Sequence, residues 1–397
     1  MSSIPTETVS PGKASLFYDP KIRGYVYQIV LLAVVGFLIW SAASNAIENL
    51  RAQKIASGFG FWNNAAGFDV NQKLIPFSAS GSTYGQAFFV GLLNTLLVAA
   101  IGIVLATIIG FTVGVARLSG NWIIAKLAMI YVELIRNIPL LLQLFFWYNA
   151  VLKPLPDARN SIHLPGSIYL NNRGIILPSP QFAPGFEAVV IALLVGIAAA
   201  VAFVIWARGQ QAKTGKQYPN GWIALALVVG LPLIVFVATG RPLSFDYPQQ
   251  GRFNLTGGVQ IFPEFVALLV GLSTYTAAFI AEVVRAGILA VSRGQTEAAH
   301  ALGLRSGPTL KLVVIPQAMR VIIPPLTSQY LNLVKNSSLA VAIGYPDLTQ
   351  VFMGTVLNQT GQAVEMVSIT MAVYLTISLV TSFAMNIYNK RMALVER

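Results

Sequence analysis

The sequence predicts an all-α, polytopic integral membrane protein with about eight transmembrane helices. Three observations carry that expectation. Of the 397 residues, 55% are hydrophobic and only 10% are charged, against roughly 25% charged in soluble domains. Mean hydropathy is +0.68. Apolar runs long enough to cross a bilayer core, which takes about 20 residues each, recur along the whole chain.

The elements follow in order. Residues 1–24 are polar and lack a cleavable-signal pattern, so the first run, 25–45, is expected to stay in the membrane. The second run, 87–116, carries small residues at every fourth position: Gly102, Ala106, Gly110 and Gly114. That spacing lets two membrane helices approach closely, either within the chain or against another subunit. The third run, 121–152, is long and contains Pro139, which predicts a kink or tilt. Runs 187–206 and 221–240, joined by the basic turn ARGQQAKTGKQYPNG, read as an inserted hairpin. Runs 264–290, 320–345 and 368–389 complete the set.

Between these runs lie three polar, turn-rich segments, 46–86, 153–186 and 241–263. The middle one is dense in Pro, Gly and Asn and too long for a plain turn. A cap or docking surface and a tolerated surface insertion fit it equally. The chain therefore divides into 1–86 (tail, first span and loop), 87–152, 153–263 (loop and inserted hairpin) and 264–390, which includes the stretch 293–320.

Net charge is +12. An even number of spans puts both termini on one side. Assigning that side to the cytoplasm places sixteen basic residues inside, Lys13, Lys21, Arg23, Arg117, Lys126, Arg208, Lys213, Lys216, Arg285, Arg293, Arg305, Lys311, Arg320, Lys390, Arg391 and Arg397. Eight fall outside: Arg51, Lys54, Lys73, Lys153, Arg159, Arg173, Arg241 and Arg252. Arg136 and Lys335 stay within spans. The bias follows the positive-inside rule. It accounts for the basic balance without nucleic acid, because the Lys and Arg are scattered among loops.

The absence of cysteine from the sequence excludes disulfides and thiolate metal sites. His163 and His300 are too few and too far apart for a metal cluster, and both are expected in loops. No G-x-x-x-x-G-K-[ST], G-x-S-x-G or H-E-x-x-H pattern occurs, so the sequence offers no phosphate cradle, nucleophile elbow or zinc helix.

The stretch 293–320 is basic and set between apolar runs. Ser292 with Gln295 three residues on fits a capping box, and Gly303 suits the position just past a helix end. A short helix over about 293–302 is predicted, with Ala298, Ala299 and Ala301 letting another surface come close. Ser306, Gly307 and Pro308 read as a turn, and a second amphipathic piece, about 309–320, leads into the seventh run.

Within this stretch Glu297, Ala298, Ala299, Gly303, Val313, Ile315 and Pro316 resemble the EAA loop of bacterial ABC-importer permeases (E-A-A, three residues, G, nine residues, I-x-L-P). Tyr131, Glu133, Arg136, Pro139 and Gln143 match the Y-x-E-x-x-R-x-x-P-L-L-x-Q pattern of the polar amino acid uptake branch. Residues 274–304, the LVKNSSLAVAIGYPDLT stretch at 333–349, and Asn94–Thr95 are similar to it as well. The resemblance covers about 87–152 and 264–390.

It implies a five-helix type I permease core in a bacterial inner membrane, resembling one permease subunit of a general L-amino acid importer. The implied partners are a second homologous permease, a cytoplasmic ATPase dimer that alone holds ATP and Mg, and a periplasmic amino-acid-binding protein. Membrane lipid surrounds the spans. Glu297, Ala298, Ala299 and Gly303 would then receive force from the ATPase.

Charges inside spans are costly and often functional. Glu133 with Arg136, and Glu282 with Arg285, stand three apart and can neutralise each other along one helix face, or else gate the path and meet a zwitterion. Gln143, Lys335, Asn336, Ser337 and Ser338 are further candidates for a path lining; Lys335 can equally snorkel to the surface. An ion-coupled secondary transporter is the competing reading. It calls for ionisable groups near the midplane, whereas most charges here gather toward span ends.

Overall fold

A computed structural model describes residues 20–52, 57–251 and 254–392. Of the basic residues weighed for topology, Lys13, Lys54, Arg252 and Arg397 lie outside them. Among the described residues, seven helices are long and apolar enough to cross a membrane, and one bent pair supplies an eighth candidate.

The first helix, α1 (Pro20–Ala52), presents its apolar residues outward along its length. The loop after it makes a 3₁₀ turn at Gly60–Asn63 and packs Phe61 and Phe77, together with Tyr84 of the next helix, against Leu348, Phe352 and Met366. Helix α2 (Tyr84–Ala116) starts at a true capping box: the Thr83 hydroxyl accepts from the Gln86 amide at 3.3 Å, and Gln86 Oε1 accepts from the Thr83 amide at 3.2 Å.

The third expected span is broken. Helix α3 (Trp122–Asn137) is capped by Asn121, whose side chain accepts from the amides of Ile123 and Ile124. Ile138 is extended, because a residue before proline is disfavoured in the helical region. Helix α4 (Leu140–Phe145) then runs into wide π-type turns at Phe146–Leu152, at 106° to α3.

Short antiparallel strands form the polar segments between the helices. The main sheet has the order β1 (Ile162–Leu164), β2 (Ile168–Asn171), β3 (Gly174–Leu177) and β8 (Val259–Ile261). Two smaller ladders pair β4 (Ser179–Phe182) with β5 (Leu243–Asp246), and β6 (Gln249–Gln250) with β7 (Leu255–Thr256). The main sheet needs glycine at Gly174. Its φ is +115°, and an added Cβ would meet the Ile261 carbonyl oxygen at 2.0 Å.

Between β4 and β5 the chain makes a helical hairpin. Helix α5 (Phe186–Thr214) packs on α6 (Asn220–Leu225), a π-type turn at Ala226–Gly230 and α7 (Leu231–Ala238). The small residues Ala192, Gly196, Ala200 and Ala207 are the buried ones of α5, and the rest of the hairpin is largely exposed.

The centre of the fold is α8 (Pro263–Leu289) packed parallel to α2 and crossed by α11. After α8 come α9 (Arg293–Ala301), α10 (Ser306–Thr309), a π-type turn at Leu310–Val314 and α11 (Ile315–Asn336). The turn expected at Ser306–Pro308 is instead the first turn of this run. Proline is tolerated there because a first-turn amide has no helical partner to lose. Beyond a 3₁₀ turn at Ser337–Ile343 lie a π-type turn at Gln350–Val356, α12 (Leu357–Thr360) and α13 (Ala363–Met392).

Asn94 and Thr95 pin the 346–348 segment onto α2. The Asn94 amide donates to the carbonyls of Gln72 and Pro346, each at 2.9 Å, and the Thr95 hydroxyl accepts from the Leu348 amide at 3.0 Å. Asp347 is buried beside them and accepts from the Gln350 amide at 2.7 Å and the Tyr374 hydroxyl at 3.1 Å. Burial pushes its carboxyl up to about 7, against the pull of those hydrogen bonds. Gly91 permits the contact, since a Cβ there would lie 2.9 Å from the Leu348 Cα.

Candidate functional site

Three groups of residues could carry function. The first is α9, a short helix joined to α8 through Ala290–Ser292. Ser292 stands at its N-cap, but the expected capping box does not form: the hydroxyl makes no cap bond, and Gln295 Oε1 accepts instead from Gln317 at 3.3 Å. The C-terminus closes as a Schellman motif. The Gly303 amide donates to the His300 carbonyl at 2.9 Å and the Leu304 amide to Ala299 at 3.1 Å, with Gly303 at φ +80°.

Of the residues singled out here, Ala299 is buried, while Glu297, Ala298 and Gly303 are exposed. Leu302, which sequence reasoning passed over, is 83% exposed. Its apolarity beside the glycine was the available signal. His300 belongs to the last turn of α9, where Nδ1 contacts the Leu304 carbonyl, and His163 belongs to β1 and stacks edge-on to Tyr169. Neither is in a loop.

The second group surrounds a cavity of about 350 Å³ between α8 and α11. Tyr275, Thr276 and Phe279 come from α8; Gln329, Asn332 and Asn336 come from α11. Arg136 reaches the same wall, its guanidinium 5.1 Å above the Phe279 ring centre. It does not pair with Glu133. That carboxylate points instead toward Arg117, 4.0 Å away.

Of the path candidates, Asn336 lines this cavity. Ser337 is buried and Ser338 half-buried; each donates to the backbone carbonyl three residues earlier. Lys335 is exposed. Gln143 is buried in the break between α3 and α4, where its amide donates to the carbonyls of Ile135 and Ile138 at 2.9 Å each. Gln329 and Asn332, one turn apart on a helix taken for an ordinary span, were missed. Their spacing with Asn336 on one face was the signal.

The third group is a charge cluster where α2, α3 and α8 meet. Glu282 accepts from Arg117 and is bridged by Arg285 at 2.6 Å. These charges face a different space from the amide-lined cavity.

The small-residue row of α2 is buried. An added Cβ at Gly110 would meet Ile280 at 2.6 Å, and at Gly114 the Ala281 carbonyl at 2.8 Å; at Gly102 it would meet only the end of Leu333 at 3.3 Å. Ala106 belongs to the same apolar cluster as Ile280 and Leu333.

Residues 219–394 match the family described as binding-protein-dependent transport system inner membrane component. The chain is 56% identical over 383 residues to the general L-amino acid transport system permease protein AapQ of Rhizobium johnstonii, covering 96% of this chain and 95% of that protein. It is 52% identical to the putative amino-acid ABC transporter permease protein YhdX of Escherichia coli, covering 97% and 98%. The glutamate/glutamine/aspartate/asparagine transport system permease protein BztB of Rhodobacter capsulatus is 43% identical, with 96% of each chain covered. With its membrane helices and these near-full-length relatives, the chain belongs to the binding-protein-dependent transport family of inner membrane components, as a permease subunit of an ABC importer.

Proposed function

We propose that this permease carries L-amino acids, delivered by a periplasmic binding protein, across a bacterial inner membrane in which both its termini face the cytoplasm. A second, homologous permease completes the pore. A cytoplasmic ATPase dimer holds ATP and Mg and docks on α9; the permease itself has no nucleotide site.

The observation that carries this reading is α9: a short helix joined by three residues to the most buried spanning helix of the core, with Glu297, Ala298 and Leu302 exposed. Small and apolar groups at its tip admit a partner surface. Closure of the ATPases moves α9, α9 moves α8, and the cavity wall on α8 moves with it. Nucleotide thereby shifts a two-state balance between inward and outward openings.

The amide-lined cavity suits a zwitterion. Amide side chains both donate and accept, so Gln329, Asn332 and Asn336 can meet an ammonium and a carboxylate without carrying charge themselves. Its volume of about 350 Å³ lies in the range of small-molecule pockets. Such a site can bind weakly if the delivery protein supplies the selectivity.

Gly303 provides the test. A Cβ at that position meets nothing within 4 Å, so a substitution strains the backbone through φ +80° and not through an internal clash. Gly303→Val should abolish ATP-driven uptake while membrane insertion stays normal. Gly303→Asn, which tolerates the left-handed region, should keep most of it. Because the chain has no native cysteine, Glu297→Cys gives a single reactive site and should crosslink to the ATPase. Normal uptake by Gly303→Val, or crosslinking only from the external side, overturns the assignment.

A further inference from the structure

A second cavity, of about 390 Å³, opens beside the charge cluster where α2 ends and α3 begins. Its lining joins three cations, Arg117, Lys126 and Arg285, to the apolar surfaces of Trp122, Ala125 and Met129. Glu282 lies between the two guanidiniums and Glu133 stands 4.0 Å from Arg117. Three cations thus face two carboxylates, and among the described residues Lys126 has no acidic partner.

The face of α3 that lines this space is read off by helical spacing. Trp122, Ala125, Lys126, Met129, Glu133 and Arg136 recur at three and four positions and share one stripe. The adjoining stripe is apolar and unpartnered: Ile123, Leu127, Ile130 and Leu134 are all exposed. Trp122 is 75% exposed at the first position of the helix, next to the cations. Indole rings favour the headgroup level of a bilayer. Cations at that level, beside an apolar surface that continues along the helix, match an anionic headgroup followed by acyl chain. A soluble anion would use the cations and leave the apolar stripe bare.

We propose that this cavity binds an anionic phospholipid. Its phosphate sits among Arg117, Lys126 and Arg285 and its acyl chain lies over Trp122, Leu127 and Ile130. The Arg117–Glu282–Arg285 cluster holds two of the cations in place, so the lipid ties the end of α2 to the start of α3. Basic pockets between spans on a cytoplasmic face are suited to such headgroups.

The full-length chain, purified and reconstituted in nanodiscs, tests this by lipid retention in native mass spectrometry. Mixed phosphatidylglycerol and phosphatidylcholine discs should return the former in excess on the wild-type protein. Lys126→Gln should lower phosphatidylglycerol retention by about fivefold, the share of one basic residue at a membrane surface. Trp122→Ala should lower it also, and Lys213→Gln, at the exposed end of α5, should leave it unchanged. Equal retention of the two lipids, or no loss in Lys126→Gln, overturns the proposal. Displacement of the lipid by inorganic phosphate overturns it too, in favour of a soluble anion. Lys126 is exposed, so its substitution leaves the fold intact.

Discussion

Arg136 stacks over Phe279 at 5.1 Å, and Phe279 is itself a wall of the amide-lined cavity. A cation over an aromatic face is worth about 0.5–2 kcal/mol, more as it is desolvated. Phe279→Leu removes the ring and keeps the volume apolar. It should lower the initial uptake rate of the reconstituted transporter by about 2–30-fold, the same energy expressed as a ratio. Phe279→Trp should preserve the rate. Rates indistinguishable from wild type in Phe279→Leu would detach Arg136 from transport.

The α2–α8 contact predicts an asymmetry between two glycines of one row. Gly110→Ala drives a methyl into Ile280 and the Ala277 carbonyl, whereas Gly102→Ala only nudges the end of Leu333. Overpacking typically costs about 1–3 kcal/mol. The thermal midpoint in detergent should fall for Gly110→Ala, by about 2–4 °C per kcal/mol, and hold for Gly102→Ala. Equal midpoints would mean that the helices are not seated at Ile280.

Gln143 compensates for Pro139. The Ile135 carbonyl would normally accept from position 139, which has no amide hydrogen, and Gln143 supplies the missing donor. Gln143→Ala leaves two carbonyls without that donor, at about 1–3 kcal/mol for each buried group. A lower midpoint with normal expression is expected. A variant as stable as wild type would show that other donors reach Ile135 and Ile138.

Asp347 predicts a pH dependence. Its folded pKa, about 7, stands above the ordinary 3.8, so the folded chain holds a proton that the unfolded one has lost. Its contribution is fully present below 3.8 and is lost as pH rises through 7, with no further change above. Hydrogen-exchange protection of 345–351, corrected for intrinsic rates, should fall between about pH 4 and pH 7 and level off above that. Asp347→Asn should flatten that slope. A flat wild-type profile would mean that the carboxylate is ionised throughout.

Helices were legible in the sequence wherever composition alone decides them, because a chain in lipid must satisfy its backbone within each segment. The break at Pro139 was legible as a kink, but its 106° angle was not, since that depends on Gln143 reaching back to Ile135 and Ile138. The short strands escaped notice because segments such as Ser179–Phe182 lack the alternation that marks a strand. They are held by pairing with distant Leu243–Asp246. The end of α9 was readable from Gly303, a local requirement. The amide cavity was not, because Thr276 and Gln329 meet only through the crossing of two helices.

The closeness of Gly110 and Gly114 to α8 has a mechanical corollary. Two rods seated backbone to side chain cannot slide without first lifting apart, so α2 and α8 travel as a single stiff strut. A push on Arg293 is then felt at Thr83, at the far end of the bundle. The compliant joint belongs at Asn137–Leu140, where one amide side chain already does the work of a helical turn.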